Sequence, residues 1–193
     1  FMVAYLPQVE LDDVDYKQKA QEAHDVAVDT FVRLREQVDR YPEKVKFNTQ
    51  LSGLEAQSVN VCFGLENGFA LAGDIGNVQK FYDMGVRYIT LCHNGDNDIC
   101  DSARGCNTHN GVSSFGEKVI QEMNRLGIMV DLSHAGEKSF YDALEISKMP
   151  IVCSHSSSKA LCDVPRNLTD DQMRALAARG GVAHTTLYHG FLR

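Results

Sequence analysis

The sequence predicts an α/β fold in which parallel strands are covered by helices. Short apolar runs of strand length alternate with segments of helical periodicity, and the runs are apolar on consecutive positions, as in strands buried on both faces. No linker or low-complexity tract interrupts the 193 residues, of which 44% are hydrophobic and 23% charged. Such a chain can bury one sizeable core. We expect a single domain, built on an open doubly wound sheet or on a closed barrel.

The first predicted element is a long amphipathic helix at residues 15–40. Its apolar side chains, among them Phe31 and Leu34, recur at helical spacing among many charges, and the stretch "YPEK" ends the pattern. Strands and helices then alternate, as strand–helix–strand units with parallel strands require. The predicted strands are 59–65, 86–91, 128–132, 151–153 and 182–187. The predicted helices between them are 75–84, 115–126, 139–146 and 169–178.

Helix ends carry recognisable signals. Ser114 with Glu117, and Thr169 with Gln172, have the spacing of a capping box, in which two side chains satisfy backbone N–H groups reciprocally. Glycine enters the left-handed conformation at low cost and therefore often ends a helix. Glycines at the predicted helix ends are Gly85, Gly127 and Gly180.

Charge and hydropathy exclude several classes of partner. The formal net charge is -7, the sequence pI is about 5.4, and no run of five or six like charges occurs. This balance argues against nucleic acid and against an anionic lipid surface. No stretch of about 18 uninterrupted apolar residues predicts a transmembrane segment. We expect a small-molecule ligand.

The six cysteines do not form a CxxC zinc pair. Cys62, Cys92 and Cys153 lie in apolar runs, where buried thiols are common. Cys100 and Cys106 flank a polar loop, and the sequence leaves open whether they are free thiols or close a disulfide in an oxidising compartment.

Four residues capable of metal or acid–base chemistry follow four successive predicted strands. They are separated by 27, 41 and 21 residues, about one barrel unit each, with a long polar loop in the middle interval. In a closed barrel every strand delivers its C-terminal end to one rim, so the four side chains are expected to converge there. These residues are Glu66, His93, His134 and His155.

Two imidazoles and a carboxylate form a ligand set suited to catalytic zinc, because they leave a coordination position for water. Asp131 lies in the predicted strand that precedes His134, where it either orients a ligand or is a buried structural carboxylate. Asp96, Asn97 and Asp98 are interpreted as polar loop residues, with contact to the substrate as the alternative.

The motifs "GLENG", "GVRYITLCHN", "MNRLGIMVDLSH" and "PIVCSHSSSKALCDVPRNLTDDQ" occur in this order along the chain. Together they resemble the membrane dipeptidase (renal dipeptidase) family of metallopeptidases, family M19. The resemblance implies a (β/α)8 TIM-barrel fold of the metallo-dependent hydrolase type with two zinc ions at its rim. It also implies a small dipeptide substrate, sometimes with a C-terminal D-residue, and a possible homodimer.

The resemblance also implies roles for individual residues. Glu66 would bridge the two zinc ions, and His134 and His155 would bind the second ion. His93 would be the active-site histidine that contacts substrate and helps to hold the tetrahedral intermediate. Arg166 would grip the substrate carboxylate, a role that the planar guanidinium suits. A metal-activated water would attack the peptide carbonyl.

One part of the family pattern is absent from this sequence. The pattern begins with an HxD pair on the first strand, and no HxD occurs in the 193 residues. We therefore expect residues 1–193 to be an internal portion of the barrel without its first and last strands, retaining at most one zinc site. Two alternatives stay open: a metal-dependent amidohydrolase acting on cyclic amides, and a catalytically incomplete metal-binding fragment.

Overall fold

The computed structural model describes residues 1–192 and contains one main sheet of six parallel strands, so the predicted α/β class is confirmed. Every neighbouring pair in this sheet is parallel. A second, two-stranded parallel sheet lies beside it. The strands of the main sheet are β1 (Met2–Tyr5), β4 (Phe63–Glu66), β5 (Val86–Thr90), β6 (Met129–Asp131), β7 (Val152–Cys153) and β8 (Val182–Ala183). The small sheet contains β2 (Val45–Phe47) and β3 (Val59–Val61).

The order of the main sheet distinguishes the two predicted architectures. Its strands lie in the order β1-β4-β5-β6-β7-β8, so each new strand joins the same side as the one before. A doubly wound sheet reverses direction at a switch point, whereas a barrel adds strands in sequence. The arrangement within residues 1–192 is therefore that of consecutive strands of a (β/α)8 barrel.

Five α-helices connect or flank the strands within the described residues. The long helix begins and ends within one residue of its prediction, and each later helix within two. Their apolar faces pack on the sheet, and Phe31, Phe63 and Phe81 join the first helix, β4 and the second helix in one aromatic cluster. The helices are α1 (Tyr16–Asp39), α2 (Gly76–Asp83), α3 (Ser114–Leu126), α4 (Glu137–Ile146) and α5 (Asp170–Ala178).

The capping predictions are half confirmed. Thr169 and Gln172 form the expected capping box at α5. At α3 the prediction was one residue off, because Ser113 has the extended backbone of an N-cap and accepts a hydrogen bond from Gly116 N, while Ser114 is already helical. The predicted helix-ending glycines all have positive φ: Gly85 (100°), Gly127 (80°) and Gly180 (73°).

The strand predictions require three corrections. The predicted strand 59–65 is two strands, because the chain leaves β3 for the main sheet at Cys62 and β4 pairs with β1 and β5. Strands β1 and β2 were not predicted, since three or four residues carry little periodicity. The last strand is shorter than predicted and ends at Ala183.

The cysteines are free thiols in this structure. Cys92, Cys100 and Cys153 are buried, Cys62 is half-buried and Cys106 is exposed, so the open question of a Cys100–Cys106 disulfide is answered by two separate thiols. None of the described helices is both long enough and apolar enough to cross a membrane.

Candidate metal centre

The carboxyl ends of four adjacent strands place the predicted rim residues side by side. Glu66 is the last residue of β4, and the three histidines follow β5, β6 and β7 by two or three residues. Adjacent parallel strands end at the same edge of the sheet, which explains why residues far apart in sequence meet here. The histidines are His93, His134 and His155.

One carboxylate oxygen is the centre of the cluster. Glu66 Oε1 lies 3.4 Å from His155 Nε2, 3.6 Å from His134 Nε2 and 3.7 Å from His93 Nε2. The Nε2 atoms of His134 and His155 are 2.9 Å apart, and the candidate ligand atoms of Glu66, His134 and His155 all lie within 4.8 Å of one another. The His93 ring packs on the His134 ring at 4.0 Å between centroids. All four predicted side chains therefore share one site.

The backbone around His134 is held in an uncommon conformation. His134 has a φ of 75°, in the left-handed region that non-glycine residues seldom adopt. Its carbonyl accepts a hydrogen bond from Ala103 N (2.7 Å). The single hydroxyl proton of Ser102 is shared between two carbonyl groups, with Ser102 Oγ 2.5 Å from the His93 oxygen and 3.3 Å from the His134 oxygen. Such local strain persists only where its surroundings hold it, and it is common at functional sites.

Electrostatics give the cluster the protonation states that metal ligands need. Burial raises the pKa of Glu66, but the contacts with His134 and His155 outweigh it and hold this pKa below the ordinary range. Burial, aided by the charge of Arg166, lowers the pKa of His134 to about 3 against the opposing effect of Glu66. Burial likewise lowers the pKa of His93. At neutral pH the site combines an ionised carboxylate with a neutral His134, as metal coordination requires.

The donor set fits a zinc ion. One carboxylate oxygen and two imidazole nitrogens are the ligand types of catalytic zinc sites, which keep a further position for water. In addition, His134 Nδ1 is buried and has no hydrogen-bond partner among residues 1–192. The ring is thus held by packing and backbone contacts, while its other nitrogen faces Glu66.

Arg166 lies beside the cluster, in the loop before α5. The residue is only 3% exposed, and its Nη2 donates to the His155 carbonyl at 3.5 Å. Its Nε has no hydrogen-bond partner in the described part of the chain, and the guanidinium lies 5.4 Å from the Phe191 ring centroid. Burial lowers the pKa of Arg166 to about 10, so the group stays charged at neutral pH.

The acidic residues near the site have distinct structural positions. Asp96 is turned into its own loop, where it accepts hydrogen bonds from Ser102 N, Cys106 N, Thr108 N and Thr108 Oγ1. Asp131 is fully buried at the end of β6 and contacts Ser154, whose hydroxyl also lies 2.7 Å from His155 Nδ1. Sequence reasoning missed Ser154, for which the only signal was its position directly before His155.

Comparison with known proteins identifies the family. The family model for the membrane dipeptidases (peptidase family M19) matches residues 2–193. The chain is 36% identical over 174 residues to Dipeptidase 3 of Rattus norvegicus, covering 87% of this chain and 36% of that protein. It is 39% identical over 150 residues to an uncharacterized dipeptidase of Schizosaccharomyces pombe, covering 77% of this chain and 36% of that protein. The chain thus spans little more than a third of the length of these relatives.

Solved structures agree with the fold. An amidohydrolase from Pseudomonas aeruginosa superposes with a TM-score of 0.81 and 28% identity, covering 87% of this chain and 52% of that one. A metallo peptidase from Rhodobacter sphaeroides, liganded with a phosphinate mimic of the dipeptide L-Ala-D-Ala, superposes with a TM-score of 0.85 and 24% identity, covering 97% of this chain and 54% of that one. Since the family model matches nearly every residue, the chain belongs to the membrane dipeptidase family, peptidase family M19.

Proposed function

We propose that this protein is a zinc-dependent dipeptidase that hydrolyses the peptide bond of dipeptides, including those with a C-terminal D-residue. The observation that carries the proposal is the convergence of ionised Glu66 with His134 and His155 in a chain of the dipeptidase family. The dipeptide mimic bound to the Rhodobacter sphaeroides metallo peptidase supports the tolerance of a D-residue.

Glu66, His134 and His155 are the residues that would hold zinc, through Oε1 and the two Nε2 atoms that face it. When bound, zinc supplies an activated water nucleophile and polarises the scissile carbonyl. Glu66 contributes the negative charge of the ligand set, while the neutral state of His134 leaves a nitrogen lone pair available for coordination.

Arg166 and His93 are proposed to bind the substrate. A charged, buried guanidinium with an unsatisfied Nε suits the terminal carboxylate of a dipeptide, because a bidentate contact of this kind is strong in a water-poor site. His93 has its Nε2 directed at the cluster and its ring held between Tyr5 and His134. A positioned imidazole N–H there would stabilise negative charge that develops on the carbonyl oxygen.

We also propose that residues 1–193 form one domain that corresponds to an internal portion of a (β/α)8 barrel. One continuous hydrophobic core and the consecutive strand order support this. The complete site of the family would hold two zinc ions, and this chain's residues provide for one of them at most. A homodimer, implied by the family resemblance, is a further proposal that light scattering would test.

Metal content tests the site. The unsubstituted chain should carry about one zinc per chain by elemental analysis, and Glu66→Gln and His155→Ala should lose it because each removes a ligand. His109→Gln is the matched control: His109 lies outside the cluster, with its Nε2 on the Asn97 carbonyl, and this variant should retain zinc. Equal zinc content in all four proteins would contradict the assignment.

Product analysis tests the substrate class. Release of free amino acids from Ala-Ala and Gly-D-Phe would support a dipeptidase, whereas ring-opened acids from a cyclic amide would assign the alternative amidohydrolase. Arg166→Lys should raise KM for Gly-D-Phe more than it lowers kcat, since lysine keeps the charge but loses the bidentate geometry. Zinc binding without turnover of either substrate would assign a metal-binding chain that lacks catalysis.

A further inference from the structure

Behind His155 lies a buried carboxylate whose hydrogen-bonding capacity is completely used. Asp131 Oδ1 accepts from Ser154 N (2.8 Å) and Ser133 N (3.1 Å), and Asp131 Oδ2 accepts from Ser154 Oγ (2.6 Å) and Thr90 Oγ1 (2.7 Å). An ionised carboxylate accepts about four hydrogen bonds and donates none. All four neighbours are therefore donors, and the single hydroxyl proton of Ser154 points at Asp131.

The direction of this hydrogen bond determines the next one. Ser154 Oγ also lies 2.7 Å from His155 Nδ1. Because the Ser154 proton is directed at Asp131, the hydroxyl oxygen is left to accept, and the proton between Ser154 and His155 must belong to Nδ1. In the neutral ring, the Nε2 atom of His155, which faces Glu66 Oε1 and His134 Nε2, then carries a lone pair.

We propose that Asp131 and Ser154 are positioning residues that form a directional hydrogen-bond relay and hold His155 in the Nδ1–H tautomer, with Nε2 free to bind a metal ion. The inference deepens the proposed function and rests on it for its purpose, but the relay itself is a property of the metal-free chain. It acts on one histidine only, since His134 Nδ1 has no hydrogen-bond partner among the described residues.

The contact between the two histidines is consistent with this direction. His134 Nε2 and His155 Nε2 are 2.9 Å apart, a hydrogen-bond distance that needs one proton between them. With His155 Nε2 unprotonated, the proton belongs to His134 Nε2 in the metal-free chain, and zinc binding at that nitrogen would require the proton to move to Nδ1, which has no hydrogen-bond partner among the described residues. The hydrogen bonds then run in one direction, from His134 through His155 and Ser154 to Asp131.

Asp131→Asn should reverse the relay. The two backbone N–H groups on Oδ1 require the amide oxygen of asparagine at that position, which places its NH₂ group against Ser154 Oγ and Thr90 Oγ1. Ser154 then accepts from the amide and donates to His155 Nδ1. The expected tautomer of His155 in this variant is Nε2–H, in which the nitrogen that faces Glu66 carries a proton in place of the lone pair that a metal ion would bind.

The test is the tautomer of His155, observed by long-range proton–nitrogen NMR on the metal-free 193-residue chain. The chain contains its own references: His109 Nε2 donates to the Asn97 carbonyl, and His24 Nδ1 donates to the Ala70 carbonyl. His155 should show the His24 pattern in the unsubstituted chain and the His109 pattern in Asp131→Asn. An Nε2–H tautomer in the unsubstituted chain, or an unchanged tautomer in Asp131→Asn, would overturn the relay.

Variants at Ser154 separate the relay from a general structural effect. Ser154→Ala should lose the single tautomer, Ser154→Thr should retain Nδ1–H because it keeps the hydroxyl, and Asp131→Asn combined with Ser154→Ala should match Ser154→Ala alone. If Asp131→Asn does not give a folded amide spectrum, Ser154→Ala and Ser154→Thr decide the question. A single Nδ1–H tautomer in Ser154→Ala would refute the relay.

Zinc titration against a chelator distinguishes the relay from the proposed metal site. Loss of a partner that orients a ligand weakens metal affinity by about 10- to 100-fold, and we expect a loss in this range for Asp131→Asn. Thr90→Val, which removes a donor to Asp131 outside the relay, should bind zinc within about threefold of the unsubstituted chain. If the NMR experiments give the expected tautomers of His155 but the chain binds no zinc, the relay is upheld and the proposed function is contradicted.

Discussion

Substitution of Asp96 tests whether the long loop after β5 holds the backbone of the candidate metal site. This carboxylate is 3% exposed and accepts four hydrogen bonds from its own loop, at 2.8 to 3.0 Å. One of the donors is Ser102 N, and Ser102 Oγ in turn contacts the carbonyl groups of His93 and His134. Asp96→Ala should therefore loosen the loop against both histidines.

The size of the effect follows from which donors stay buried. Loss of the buried bond to Ser102 N leaves an unsatisfied N–H group, at a cost of about 1–3 kcal/mol. The three donors that bond Asp96 Oδ2 are partly buried, so water replaces part of the lost hydrogen bonding. Loss of these three bonds adds about 1–2 kcal/mol to the destabilisation. We expect Asp96→Ala to destabilise the fold by about 3 kcal/mol. Asp96→Asn should cost about 1–2 kcal/mol, because only its contact with Ser102 N becomes unfavourable.

Urea denaturation measures this difference. With an m-value of about 2 kcal/mol/M, 3 kcal/mol lowers the midpoint by about 1.5 M. Asp83→Ala removes an exposed acid whose side chain, among the described residues, is bonded only to Gln79. It is the control and should shift the midpoint by less than about 0.3 M. Hydrogen exchange should speed up at Ser102 in both Asp96 variants and at Thr108 in Asp96→Ala. An unchanged midpoint in Asp96→Ala would refute the reasoning.

The pH dependence of the same variants gives an independent check. Burial raises the pKa of Asp96, but the backbone N–H groups of Ser102 and Thr108 outweigh it and lower the pKa below its ordinary value. A lowered folded-state pKa stabilises the fold above the ordinary pKa and is lost as the pH falls through the folded value. The stability gap between the unsubstituted chain and Asp96→Asn should therefore shrink below about pH 4. A gap that widens on acidification would contradict this sign.

Further predictions concern packing, backbone conformation and titration. Gly64→Ala should lower the free energy of unfolding by about 1–3 kcal/mol, since a Cβ there would lie 2.2 Å from the Tyr88 ring. Gly127→Ala has open space but a φ of 80°, so it should cost about 1 kcal/mol from backbone strain alone. An unchanged urea midpoint in either variant would contradict its prediction. Burial raises the pKa of Asp98, so this residue's contribution to stability should fall as the pH rises above about 4, and the free energy of unfolding of Asp98→Asn relative to the unsubstituted chain should increase over that pH range in urea titrations.

Most of the helical structure was predictable because its signals are local. The amphipathic pattern of α1 extends over 24 residues, and the glycines that follow α2, α3 and α5 adopt positive φ as expected. Strands β1 and β2 were not predicted, and β3 could not be separated from β4, because short strands are determined by their pairing partners. A continuous apolar run shows that a segment is buried but not in which sheet.

The candidate site was likewise predictable from the sequence in part, while its other features depend on tertiary contacts. The alternation of strands and helices predicted that Glu66 and three histidines share one edge of the sheet. In the structure the three histidine Nε2 atoms lie within 3.7 Å of Glu66 Oε1. The relay behind His155 depends on the contacts of Asp131, the last residue of β6, with Ser154, which follows β7 and lies 23 positions further along the chain. A sequence pattern carries no information on which of several buried hydroxyl groups reaches a given carboxylate.

The sequence by itself determined the class of fold, the family and the residue types available at the rim, because periodicity and ordered motifs are properties of the chain. Tertiary structure decided the strand order, the inward turn of Asp96 and the contact between Ser154 and His155. These features depend on distances between residues that are remote in sequence. Hydrogen bonds and the geometry of a ligand set both depend on distances of a few tenths of an ångström between atoms. The packing of β6 against β7 determines the distances between Asp131, Ser154 and His155.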